Sequence, residues 1–153
     1  MIMAIFFSST GNPEVWNEKP NGYYTPEEWA TEHPAPVPSF DELKTAKRDK
    51  IAAARYEAET GGCTVDGVTI ATDRGSQALL TAAVVTARLD VEFKTRWKCA
   101  DGHFVTLDAM QLRAIGDAVT AHVEACFARE GELCEQIDTA QTPEELAAIQ
   151  WSL

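Results

Sequence analysis

At 153 residues, 45% of them apolar and 24% charged, the chain has the balance of one ordinary folded domain with an appendage, long enough to bury a core without metal or disulfide staples. Its 24 acidic residues against 13 basic ones give a formal charge of −11, which repels phosphate backbones and anionic headgroups and argues against nucleic acid and membrane as partners. No apolar run approaches the ~20 residues that cross a bilayer, and the opening "MIMAIFF", without basic leader or cleavage site, reads as a strand and not as a signal peptide.

Residues 1 to 38 form an aromatic, turn-rich, irregular segment: a short strand in "MAIFF", turns at "GNP" and "KPNG", then "TPEEW". The prolines at 34, 36 and 38 cannot donate ladder or helix hydrogen bonds, so "HPAPVP" is an extended connector in preference to a Pro-rich recognition ligand. A domain boundary is expected there, with an α+β domain over residues 39 to 153.

Ser39 followed by Glu42 reads as a capping box opening a helix through "FDELKTAKRDKIAAARYEAET" to Gly61-Gly62. Phe40, Leu43, Ile51, Ala54 and Ala58 mark its buried stripe, and "KRDK" is expected on the wet side, solvated and paired along the helix.

A repeat follows. "CTVDGVTIATD" is a hairpin pattern in which Asp66-Gly67 supplies two positive-φ turn residues, and Asp73 caps a helix, "RGSQALLTAAVVTARLD". "RWKCADGHFVTLD" is a second hairpin around Asp101-Gly102, and Asp108 caps a second helix with Gln111 completing the box. Turn and cap both recur at a spacing of 35 residues, with Ile70 matched to Val105, Leu80 to Ile115 and Val84 to Val119. The unit is ββα used twice, and two such hairpins make a small antiparallel sheet packed by helices.

From Asp108 the stripe Leu112, Ile115, Val119, His122, Cys126, Leu133, Ile137 continues with an interruption near Arg129 and Glu130. About 30 residues span roughly 45 Å, more than a domain of this size covers, so the far half is expected to project, to pair with the closing helix or to join a partner chain. Gly116 and Gly131 weaken this helix and are candidate bends. In "TPEEL" Thr142 caps, Pro143 takes the first helical position and Glu144 and Glu145 face the positive end of the dipole; "TPEEW" is the same device. Adjacent helical residues point about 100° apart, so Glu27 and Glu28 start a helix and do not form an acid/base pair.

No catalytic, cofactor or metal site is expected. Cys99 and His103 flank a hairpin turn but offer zinc no further good ligands; His122 reads as a core or interface residue with one hydrogen-bonded nitrogen. Asp73 and Ser76 lack a nucleophile elbow, and no nucleotide-binding loop is present. Cysteines 63, 99, 126 and 134 form no C-x-x-C pair, and on one helix Cys126 and Cys134 stand about 12 Å apart, too far to bridge, which points to a reducing compartment. Trp97 belongs to a strand and packs in the sheet. Trp16, Tyr23, Tyr24 and Trp29 are the candidate partner-binding residues, since large rigid aromatics dominate interfaces; docking onto the main domain is the equal alternative.

The segments "AARYEAETGG", "VDGVTIATDRGSQALL", "RWKCADGHFVTLDAMQL", "AVTAHVEACFAREGEL" and "IDTAQTPEELAAI" resemble an uncharacterised domain family found in bacteriophage and prophage tail-fibre and tail-fibre-assembly proteins. The resemblance rests most on Asp73, Ser76 and Gln77, on Trp97 to Gly102, and on Ala121 to Phe127. It implies a non-enzymatic tail-fibre-associated structural or assembly protein acting by protein–protein contact, as a homo-oligomer, with a tail-fibre or baseplate protein as partner and the aromatic segment and long helix as contact surfaces. The implied location is the bacterial host cytoplasm during assembly and then the virion tail. The alternatives are a tail-fibre assembly chaperone absent from the mature virion and a small metal-dependent or acid/base enzyme acting on host surface glycan.

Overall fold

The computed structural model describes residues 3 to 152, and the chain divides into two compact units, Met1–Ser39 and Phe40–Leu153. In the first, β1 (Ala4–Phe7) pairs antiparallel with β2 (Pro13–Trp16). Phe7 then exchanges two main-chain hydrogen bonds of 2.8 Å with Tyr24, which places the chain to enter α1 (Pro26–Glu32). Thr25 caps α1 with a full capping box through Glu28, and Pro26 sits at its start, as the sequence predicts. Trp29 organises this unit: its ring stacks on His33 at 3.6 Å and on Phe7 at 5.7 Å, and meets Tyr24 edge-on at 5.4 Å.

The second unit opens with α2 (Phe40–Thr60), followed by β3 (Cys63–Val65), β4 (Val68–Ile70) and α3 (Arg74–Leu89), then β5 (Lys94–Lys98), β6 (Phe104–Asp108), α4 (Ala109–Thr139) and α5 (Pro143–Ala148). The ββα unit therefore occurs twice, in a mixed helix and strand fold. Each hairpin is its own two-stranded antiparallel ladder, and the two touch through one main-chain hydrogen bond, Ala100 N–H to the Thr69 carbonyl at 2.9 Å. The two Asp-Gly dipeptides build different turns. Asp66 and Gly67 both take positive φ, +49° and +79°, in a two-residue turn between Val65 and Val68. At the second, only Gly102 does, and the loop widens so that Cys99 N–H bonds the His103 carbonyl at 2.7 Å.

Asp73 and Asp108 cap α3 and α4 and Thr142 caps α5. Apart from the half-buried His122, the stripe of α4 is buried, but against two separate apolar clusters. Leu112, Ile115 and Val119 pack with Ile70, Leu80 and Leu107; Leu133 and Ile137 pack with Ile51, Leu146 and Ile149. The distal half packs against the closing helix, one of the fates expected for it, and α2 covers it as well, antiparallel. Outside the stripe the helix keeps exposed residues, Met110 and Phe127 included.

The basic cluster of α2 also departs from expectation. Lys44 donates to the Asp138 carbonyl at 2.9 Å, Lys47 to the Ala147 carbonyl at 3.3 Å, and Arg48 pairs with the Asp138 carboxylate. Neither α4 nor α5 has a basic residue in its last turn. The cations of α2 supply that positive charge to the negative ends of both dipoles, a service that no local spacing reveals.

Gly116 and Gly131 both lie inside an unbroken α4, yet they differ. A Cβ on Gly116 would stand 2.6 Å from Val84 Cγ2, so the absence of a side chain lets α3 lie close; nothing stands within 4 Å of one on Gly131. Val84 is β-branched and stiff in a helix and cannot rotate away cheaply. Gly116→Ala is expected to lose roughly 1–3 kcal/mol from overpacking, restored in part by adding Val84→Ala, whereas Gly131→Ala gains up to about 1 kcal/mol from helix propensity. Urea unfolding midpoints of the three variants check this.

Candidate functional site

Between the two apolar clusters of α4, where the stripe is interrupted, lies a polar joint. Glu59, near the end of α2, has 0% of its surface exposed. Arg55, one turn before it, pairs with it and also donates Nε to Glu130 Oε2 at 2.9 Å, so that the break in the apolar pattern at 129–130 is where an ion pair crosses from α2 to α4. Arg74, the first residue of α3, reaches both carboxylate oxygens of Glu59, at 3.0 and 3.2 Å. Gln77, one turn on, bridges from Glu59 Oε1 at 3.4 Å to the Thr72 carbonyl at 2.7 Å. The buried Thr72 hydroxyl donates to the Glu59 carbonyl at 2.6 Å and accepts from Gly62 N–H at 2.8 Å. Burial alone would lower the pKa of Arg55, but hydrogen bonds to Glu130 and Glu59 outweigh it and raise it above the ordinary guanidinium value. Its guanidinium also lies over the Phe127 ring at 4.5 Å.

His122 and Cys126 border this joint from α4. His122 Nε2 lies 3.0 Å from the Ala58 carbonyl, which can only accept, so Nε2 carries the proton. That same nitrogen is the one 4.0 Å from Cys126 Sγ. It is thus a committed donor and takes no proton from the thiol. Burial, followed by the charge of Glu59, pushes the Cys126 thiol up, the opposite of what an activated cysteine requires. His122 meets its expectation as a packed residue with one bonded nitrogen. The carboxylate of Glu59 is saturated by two guanidiniums and an amide, so the joint binds its own elements together and offers no open position to a reactant.

The other candidates resolve on geometry. Ser76 Oγ donates to Asp73, whose carboxylate also accepts the amides of Gly75 and Ser76; the pair is a helix cap. Cys99 is buried, while the His103 side chain is 83% exposed with Nδ1 3.3 Å from Asp101, so thiol and imidazole do not converge. Among the described residues no three of His, Cys, Asp and Glu are grouped to hold a metal ion. All four cysteines are free. Trp97 is partly buried on β5 and packs against the first cluster. The four aromatic candidates divide: Tyr24 and Trp29 are used inside the first unit, whereas Trp16, itself exposed, forms an edge-on pair with Tyr23 at 6.2 Å. Glu28 caps α1 and pairs with Lys19, and does not act with Glu27.

Such an arrangement defines a helical scaffold carrying two small hairpins, held at its centre by ion pairs. The chain belongs to the family described as a domain of unknown function (DUF4376), matched over residues 42–150. No curated protein and no solved structure matches it. The match spans α2 through α5, and residues from three of the segments that carry the resemblance, Arg55 and Glu59, Arg74 and Gln77, and His122 and Cys126, meet at the joint. Glu59 is the residue that sequence reasoning missed: a glutamate one turn after Arg55 on a wet-looking helix end reads as surface pairing, and only the arrival of Arg74 and Gln77 from α3 shows otherwise.

Two outcomes test the joint. Glu59→Gln is expected to cost about 1–3 kcal/mol, because it weakens the buried hydrogen bonds to Arg55 and Arg74 and leaves Glu130 as the remaining counter-charge of Arg55, while Arg74→Ala, at a side chain 59% exposed, costs within about 1 kcal/mol; chemical denaturation of both compares them. At α3, the Ser76 hydroxyl, then its amide and that of Gly75, hold the Asp73 carboxyl below its ordinary value. A depressed pKa stabilises the fold above the ordinary carboxylate range and loses that contribution as pH falls through the folded value. Asp73→Asn should therefore flatten the acid limb of a melting temperature against pH curve.

Proposed function

We propose that the protein is a non-enzymatic tail-fibre-associated structural or assembly component of a phage or prophage, acting by contact with a tail-fibre or baseplate protein. The sequence resemblance supports the tail context. The exposed apolar side chains of the first unit carry the contact reading: Ile5 and Val15 stand opposite each other on one face of the β1–β2 ladder, and Trp16 stands at its end on the other. Met3, Ile5, Val15 and Trp16 together in solvent at one hairpin are a heavy load for a unit this small, and Trp is the residue type most enriched where interfaces hold their energy. The polar side chains that look reactive are engaged as caps, turns and ion pairs, consistent with a stoichiometric role.

Co-expression with the fibre and baseplate proteins of the same phage or prophage, followed by co-purification, tests the contact. Trp16→Ala is expected to weaken the complex at least about tenfold while leaving the ring-current shifts of Tyr24 and His33 in place. Trp29→Ala should erase those shifts, because it removes the ring they surround. Loss of the shifts in both variants, or retention of binding in Trp16→Ala, contradicts the reading. Mass spectrometry of purified virions separates a resident component from a chaperone that departs.

A further inference from the structure

Among the described residues the outer edge of β5 pairs with no strand. Because Cys99 is hydrogen-bonded to His103 across the hairpin, alternation directs the main-chain groups of Thr95, Trp97 and Cys99 towards β6 and those of Lys94, Arg96 and Lys98 away from it. Ala100 N–H, next in the outward series, bonds Thr69. Among the described residues nothing pairs with the outward groups before it.

Beside this edge runs a groove of about 570 Å³, walled by the consecutive residues Thr95 to Ala100 and floored by Ser76, Leu79 and Ala83 of α3. Leu79 is 68% exposed there. On the solvent face of β5 stand Lys94, Arg96 and Lys98, in a chain of net charge −11; among the described residues none lies within ion-pairing distance of a carboxylate.

We propose that this edge is a docking site for an extended protein segment that adds as a third strand beside β5, between it and α3. Three features specify the guest. The free main-chain donors and acceptors require an extended backbone. Side chains on its inner face would meet Leu79, Ala83 and Trp97 and must be apolar. Those on its outer face would lie beside Lys94, Arg96 and Lys98 and must be acidic. The partner segment alternates apolar and acidic residues over about five positions, the length of β5.

A second copy of the same edge is excluded by the same charges, since antiparallel β5–β5 pairing sets lysine and arginine against their own kind. Cations on an edge strand commonly serve only to prevent such self-pairing. Here they sit above an apolar groove that self-protection does not require. The site lies wholly within the second unit and does not depend on the tail assignment.

A fluorescent, end-capped peptide of alternating Val and Glu, six residues long, is the probe, with the full-length protein. Fluorescence anisotropy should show binding at least about tenfold tighter than for the Val/Lys analogue or for a block isomer with three Val followed by three Glu. Charge reversal by Arg96→Glu with Lys98→Glu should transfer the preference to the Val/Lys peptide. In unaltered protein, hydrogen exchange read by NMR should show the Arg96 and Lys98 amides becoming protected on binding, while Trp97, already paired with β6, changes little. Equal affinity for the block isomer, protection that falls elsewhere, or no binding by any of the peptides overturns the proposal.

Discussion

A carboxylate that no solvent reaches must find its counter-charges within the protein, and Glu59 finds them on its own helix and on α3, while Arg55 carries the network on to Glu130 of α4. Apolar faces alone would allow α2 to slide along α4 by a turn with modest loss, since one aliphatic contact replaces another. A saturated ion network has one good geometry, and displacement leaves charge unpaired in a poorly solvated place. On this reasoning Glu59 fixes the register of the three helices, and Thr72, bonded to both the Glu59 carbonyl and Gly62 N–H, ties the first hairpin to the same point.

With that register set, α4 becomes the spine of the second unit. Its proximal half closes the cluster made by α3 and the two hairpins, and its distal half closes the cluster made by α2 and α5. Neither cluster contains many residues, and each depends on a helix that the other also holds in place. The lysines and arginine of α2 strengthen the distal end by meeting carbonyls and a carboxylate at the termini of α4 and α5. At the proximal end the demand is for space, met at Gly116 beneath Val84.

Local chemistry left a clear trace in the sequence. Asp73, Asp108, Thr25 and Thr142 were recognisable as caps because the donor amides they satisfy lie two or three residues away. The repeated ββα order could be read from strand alternation, Asp-Gly dipeptides and helical stripes. Even so, the second turn took a wider form than the first around the same dipeptide, because the register of β5 and β6 brings Cys99 opposite His103 and leaves three residues in the loop, where Val65 opposite Val68 leaves two. The aromatic candidates illustrate the limit of composition: Trp16 and Trp29 look alike in sequence, but one ring is enclosed by Phe7 and His33 and the other faces solvent.

Sequence by itself determined where helices begin, where hairpins turn and which stripe of α4 is apolar, because those outcomes depend on neighbours within a few bonds or one helical turn. Tertiary structure decided which charges are buried, which lysines serve helix ends, and that one strand edge lies open beside an apolar groove. Those outcomes depend on pairs separated by many residues, such as Arg55 with Glu130 and Lys44 with Asp138. Coulomb energy and desolvation follow distance in space, which chain order does not record.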